Sequence, residues 1–186
     1  VSHSDLRTFI NDLEALGQLK RVTVEVDPVL EIAEIAGRMC KMPAAGDAPP
    51  PPTDPVHGRY GGCALLFENV KGTDMPVAIN VYGSYERMRL ALGVSSFEAL
   101  AERMEQLLKP ELPASLIEKM KKLPQLAKLA SFAPKVVKHG MCQDVVHTDD
   151  ADLTALPIIQ CWPNDGEPGY GLKPKDETHG TGRYIT

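Results

Sequence analysis

Apolar residues recur at steps of three and four from Leu6 through Phe9, Ile10, Leu13 and Leu16. That spacing predicts an amphipathic helix, capped by Ser4 and ended by a left-handed Gly17. From Lys20 the period drops to two, with Val22, Val24 and Val26 alternating against Arg21, Thr23 and Glu25, the pattern of a half-buried strand. Asp27-Pro28 then reads as a helix start, and Val29, Ile32, Ala33, Ala36 and Met39 line one face of a second helix running to about Lys41. Between residues 43 and 62 proline and glycine crowd out apolar side chains, so an exposed, partly extended loop is expected. Such a loop could dock a proline-binding module; an insertion between two core elements is the simpler reading.

The core resumes with a short buried strand at residues 63–67, a turn at Gly72-Thr-Asp74 and a second strand at 76–82. Gly83-Ser84 caps a helix containing Met88, Leu90 and Leu92, and Ser96 opens another whose stripe is Phe97, Leu100, Ala101, Met104, Leu107 and Leu108. Beyond Pro110 the chain is lysine-rich and broken by prolines, with short helical runs at 114–122 and 126–132, which reads as a helical linker. The run Lys119-Met-Lys-Lys122 is most simply a solvated helix face. Weak alternation over 143–148 and the apolar run 156–159 suggest the first strands of a second unit. The expected organisation is therefore α+β: an N-terminal domain over 1–109 with its proline-rich loop at 43–62, a linker over 110–138, and the start of another domain over 139–186.

A chain of 186 residues can bury a sizeable core, and 43% hydrophobic with 24% charged residues is the composition of an ordinary globular protein. A net charge of −5 argues against nucleic acid as partner. No apolar run approaches the roughly 20 residues of a transmembrane helix, and the first residues lack the pattern of a secretory leader, so a cytoplasmic protein is expected, with membrane contact at most peripheral. The cysteines at 40, 63, 142 and 161 form no C-x-x-C pair and are expected to be buried reduced thiols.

The search for chemistry returns little. His147 beside Asp149 and Asp150 could orient a base or bind metal, but an acidic turn with an exposed histidine is the plainer reading. Glu31 and Glu34 lack the partnered Glu-x-x-His helix of a di-metal site, and Gly180-Thr-Gly182 is too short for a dinucleotide loop. On the residues alone, no self-contained active site is present, so no catalytic or metal-binding residue is assigned.

Five stretches taken together resemble one family: Asp5-Leu-Arg-Thr-Phe-Ile with Gly17-Gln-Leu-Lys-Arg-Val; Val26-Asp-Pro-Val-Leu-Glu-Ile-Ala-Glu-Ile-Ala; Ala64-Leu-Leu-Phe-Glu-Asn-Val-Lys-Gly; Met75-Pro-Val; and Leu156-Pro-Ile-Ile-Gln-Cys-Trp-Pro-Asn-Asp. In order and spacing they are similar to the N-terminal region of UbiD-type carboxy-lyases, reversible decarboxylases of aromatic and α,β-unsaturated acids that include steps of ubiquinone and menaquinone biosynthesis. The resemblance implies an N-terminal α+β domain, a linker, a flavin-reductase-like split β-barrel holding prenylated FMN, and a C-terminal domain used to form a homo-oligomer. It also implies a divalent metal, manganese or magnesium, on the cofactor phosphate, with potassium as an optional further ion. The proton-transfer and cofactor residues of the family fall in an Asn-x-Gly-x-Tyr-Arg motif and beyond, expected after Thr186. Hence Thr186 is the one residue placed near the cofactor, and this chain alone is expected to bind no cofactor and to be inactive.

The resemblance also leaves open a standalone binding or assembly module that keeps the N-terminal fold. Residues 166–182 and the proline-rich loop stand as insertions relative to the family. Trp162 is expected to pack at the seam between domains, with Cys161 buried beside it. Residues 4–109 are expected to fold stably, and those from about Cys142 onward to be poorly ordered or paired with another chain.

Overall fold

The computed structural model describes residues 3–46, 49–108, 134, 136–149, 152, 155–163 and 165. Two compact units result, one from the described residues of 1–96 and 152–186, the other from those of 97–151. The grouping is thus discontinuous: residues from the expected second domain, 155–165, lie in the first unit.

In the first unit, helix α1 (Leu6–Ala15) starts at Asp5 rather than Ser4. The Asp5 carboxylate accepts the Thr8 amide at 2.8 Å and the Thr8 hydroxyl at 3.0 Å, while Ser4 donates to its other oxygen. A carboxylate satisfies an orphan helix amide more strongly than a hydroxyl, and Ser4 becomes its support. Gly17, at φ 67°, reverses the chain into strand β1 (Leu19–Val22). The expected longer strand stops there: Val26 is buried and bridges Val70, but Val24 is exposed.

Helix α2 (Glu31–Cys40) begins later than Asp27-Pro28 predicts. Asp27 does act as a cap, but of a turn, accepting the Val29 amide at 2.8 Å while Glu31 accepts the Asp27 amide at 2.6 Å. Residues 28–30 are held out of the helix by a partner from far along the chain: the Leu30 amide donates to the Gln160 carbonyl and the Gln160 amide to Pro28, both at 3.0 Å. Leu30 consequently sits at φ 67°.

Strand β2 (Ala64–Phe67) lies between β1 and β3 (Val77–Ile79), parallel to the first and antiparallel to the second. The parallel pair demands a long crossover, which α2 and the loop after it supply. All four β2 residues are buried, and they alternate between two cores. Ala64 and Leu66 join Phe9, Ile10, Leu13 and Leu19; Leu65 and Phe67 join Val26, Ile32, Val70 and Val77, with Ile159 packed against this second group.

The proline-rich segment folds back on itself. Pro43 bridges Tyr60, the Ala44 amide donates to Arg59 and the Ala45 amide to Gly62, so its two ends meet as in a compact surface loop. Its far side is tied to helix α3 (Tyr85–Leu92), where the Tyr85 hydroxyl donates to Asp54 at 3.1 Å. Ser84 caps α3 as expected, and Gly93 ends it at φ 63°.

The second unit contains α4 (Phe97–Leu108), as the apolar stripe predicts, and a single 3₁₀ turn at Met141–Gln143. The expected strand at 143–148 does not form: Gln143 ends the 3₁₀ turn and 144–148 are bends and coil, exposed throughout. Without a partner strand among the described residues of this unit, weak alternation has nothing to pair with. The expected helical runs at 114–122 and 126–132 lie outside the described residues.

Candidate functional site

The most constrained polar site is built around Arg87, a fully buried cation on the inner face of α3. Its guanidinium donates to the carbonyls of Gly62 at 2.6 Å and Gly61 at 2.7 Å, and to the Gln18 side chain at 3.3 Å. Among the described residues no carboxylate pairs with it: burial pulls its proton affinity below that of a free guanidinium, and Cys63 and Cys40 act weakly the other way. Asn80, in the left-handed region at φ 59°, completes the knot by donating to Gly61 and Cys63 and accepting from the Cys40 thiol at 3.2 Å. Gln18 extends it through its side-chain amide to Ala45 at 2.7 Å.

Two glycines let the backbone come this close. Gly61 sits at φ 124° against the Gly83 carbonyl, and Gly62 at φ 48° against the Met39 carbonyl. The result is a charge buried to hold backbone carbonyls, a structural use of arginine's fork of donors. Sequence reasoning missed it, although Arg87 falls three and four residues before Leu90 and Ala91, both of which pack on the first core. A cation on the apolar face of a helix was the signal.

Between α1 and α3 lies a cleft of about 400 Å³, lined by Phe9, Leu16, Leu90 and Val94 with His3, Asp12 and Arg89 among them. His3 spans it: Nδ1 stands 3.1 Å from Asp12 and Nε2 3.3 Å from the Leu90 carbonyl, with its ring edge-on to Phe9. Arg89 is committed to Glu86 through both carboxylate oxygens, which raises its pKa above the ordinary value. The cleft therefore offers an apolar wall with a latched imidazole.

The candidate residues of the sequence reading are not brought together. Thr186, Gly180, Gly182 and Asp150 lie outside the described residues. Glu34 pairs with Arg38 at 2.7 Å on the α2 surface, and Glu31 serves the Asp27 turn. Among the described residues no group of three or more His, Cys, Asp or Glu side chains could hold a metal ion. The guanidinium of Arg21 is taken by Glu14 and Glu68, that of Arg87 by carbonyls and that of Arg89 by Glu86. No helix among the described residues is long and apolar enough to cross a membrane.

All four cysteines are free, but only Cys63 is buried. Cys40, Cys142 and Cys161 are exposed, which corrects the expectation of buried thiols. Cys40 ends α2 at the surface and Cys161 follows the pinned Gln160 into a turn. Trp162 is 70% exposed. Asp165 holds this turn by accepting the amides of Cys161 and Trp162 at 3.0 and 2.9 Å, which points the indole away from the first unit's cores.

A family model described as the 3-octaprenyl-4-hydroxybenzoate carboxy-lyase N-terminal domain matches residues 10–107. An uncharacterized protein of Aquifex aeolicus (strain VF5) is 42% identical over 184 residues, 99% of this chain and 32% of that protein. The chain thus spans about a third of the length of that relative. The vanillic acid decarboxylase of Sedimentibacter hydroxybenzoicus in its closed form is similar at a TM-score of 0.56 with 25% identity, covering 89% of this chain and 29% of that one. Its open form, at a TM-score of 0.58 and 24% identity, shares the fold. The ordered motifs, the α+β core and the matched span agree, and the chain belongs to the UbiD carboxy-lyase family through that family's N-terminal domain.

Proposed function

We propose that this chain is the N-terminal portion of a UbiD-type, prenylated-FMN-dependent carboxy-lyase acting on an aromatic or α,β-unsaturated acid, with ubiquinone or menaquinone biosynthesis as candidate settings. The carrying observation is the match of residues 10–107 to the carboxy-lyase N-terminal domain model, and the 42% identity across 99% of the chain to a protein about three times as long supports its being a portion of a larger polypeptide. The fold shared with a vanillic acid decarboxylase supports the substrate class. On this reading residues 139–186 include the start of the split barrel, Thr186 enters the cofactor pocket, and the complete enzyme is a cytoplasmic homo-oligomer with its divalent metal bound outside the described residues.

The N-terminal unit contributes no reacting group. Its buried cation, closed loop and two-sided sheet make it a rigid support, and the cofactor chemistry belongs to the rest of the polypeptide. The reading is tested by the coding sequence after Thr186 and by assay of its product. An open frame reaching Asn-x-Gly-x-Tyr-Arg, with carbon dioxide released from an aromatic or unsaturated acid by the cofactor-loaded protein, is the expected result. A stop codon directly after Thr186 would instead leave a standalone binding module.

A further inference from the structure

Trp162 is the single tryptophan of the chain and is among the most exposed large apolar side chains of the first unit, yet its backbone is among the most firmly held. Asp165 accepts two amides of the turn and returns its own amide to the Trp162 carbonyl at 3.1 Å. The Gln160 side chain donates to the carbonyls of Trp162 and Pro163, each at 3.2 Å. Gln160 is in turn fixed to residues 28 and 30 by two backbone hydrogen bonds, and Ile159 packs on the second core. Val29, the bridge partner of Gln160, is itself 41% exposed.

An indole carries on the order of 150–250 Å² of mostly apolar surface, and a preorganised turn has already lost the freedom that docking would otherwise cost. Such a side chain is what a binding hot spot requires.

We infer that Trp162, presented by the Gln160–Asp165 turn, is the anchor by which the first unit, including the segment that opens the expected barrel, packs against the part of its longer polypeptide that lies outside this chain. The occupant follows from length: about two-thirds of the Aquifex relative lies outside the matched part. A covalently attached partner reaches the anchor without the entropic cost of bimolecular association. The inference rests on the proposed reading of the chain as part of a longer enzyme.

The test uses that longer polypeptide labelled with 5-fluorotryptophan, the Trp162 resonance being assigned by Trp162→Phe. The expected result is a Trp162 signal shielded from solvent at every protein concentration, with indole N–H exchange slowed at least roughly tenfold relative to a free indole. Trp162→Ala is expected to lower the thermal midpoint and to speed protease cleavage between the N-terminal unit and the rest, with Trp162→Phe restoring most of both. A solvent-exposed resonance would overturn the inference. So would shielding that grows with protein concentration, which would make a second copy the occupant. Decarboxylation measured on the same samples separates the two readings: a shielded Trp162 without activity sinks only the enzyme assignment, and activity with an exposed Trp162 sinks only the anchor.

Discussion

The two cores on β2 differ in how far along the chain they reach. The first is closed by nearby elements: α1 and β1 meet β2, with Leu90 and Ala91 of α3 added. The second shares the same strand through Leu65 and Phe67, but takes Ile159 from eighty residues beyond the sheet. That segment also decides where α2 begins, by pairing with residues 28–30. A fold whose two sides look alike in hydrophobicity is thus self-contained on one and completed from afar on the other.

The largest blow to this contrast comes from the shared strand. Phe67→Ala removes a fully buried ring and should cost about 3–5 kcal/mol in urea unfolding. Leu13→Ala, equally buried on the first core, should cost about 2–5 kcal/mol. Near-neutral behaviour of either would mean that its core is not packed as described.

Next comes Arg87→Met, which keeps bulk and removes the donors. The Gly61 carbonyl retains the Asn80 amide at 2.8 Å and the Gly62 carbonyl the Ala45 amide at 3.2 Å, so neither is stranded, and loss of the charged hydrogen bonds should cost about 1.5–3 kcal/mol. Lysine should rescue little, because one ammonium cannot span two carbonyls and Gln18 in the same geometry.

Ile159→Ala is smaller and more diagnostic. Its side chain is half-buried, so about 1–2 kcal/mol is expected, accompanied by faster amide exchange in α2 and unchanged exchange in α1. Equal loss of protection in both helices would erase the difference between the cores.

The smallest effect is electrostatic. Hydrogen bonds from the Thr8 amide lower the pKa of Asp5, the Arg21 side chain lowers that of Glu14, and the His57 amide lowers that of Asp54. A carboxylate depressed in the folded state adds stability above its unfolded value, near ~4 for these groups, and loses it as pH falls through the folded value. The urea midpoint should therefore hold from pH 7 to about 5 and drop below about 4. A midpoint that rises on acidification would contradict the assignment of these three groups.

Periodicity made α1, β2 and α4 legible because their partners are close or their apolar stripes are complete. It overran where a distant segment intervened. Residues 28–30 carry good helix signals, yet Gln160 holds them in a turn outside the helix, and Val24 continues an alternation whose strand has already stopped at Val22. Burial of Gln18 and Arg87 was hidden because each is polar by type and apolar by place; only the carbonyls of a loop about 25 residues away explain them. The family was readable from ordered motifs, whereas burial of Cys161 was inferred from residue type alone, and its turn leaves it exposed.

On the proposed reading this chain supports chemistry performed by the rest of its polypeptide. Native mass spectrometry of the 186-residue chain and of the longer protein, each reconstituted with prenylated FMN, tests that division of labour. One cofactor per longer chain and none on the 186-residue chain is the expected result; stoichiometric occupancy of the 186-residue chain would overturn it.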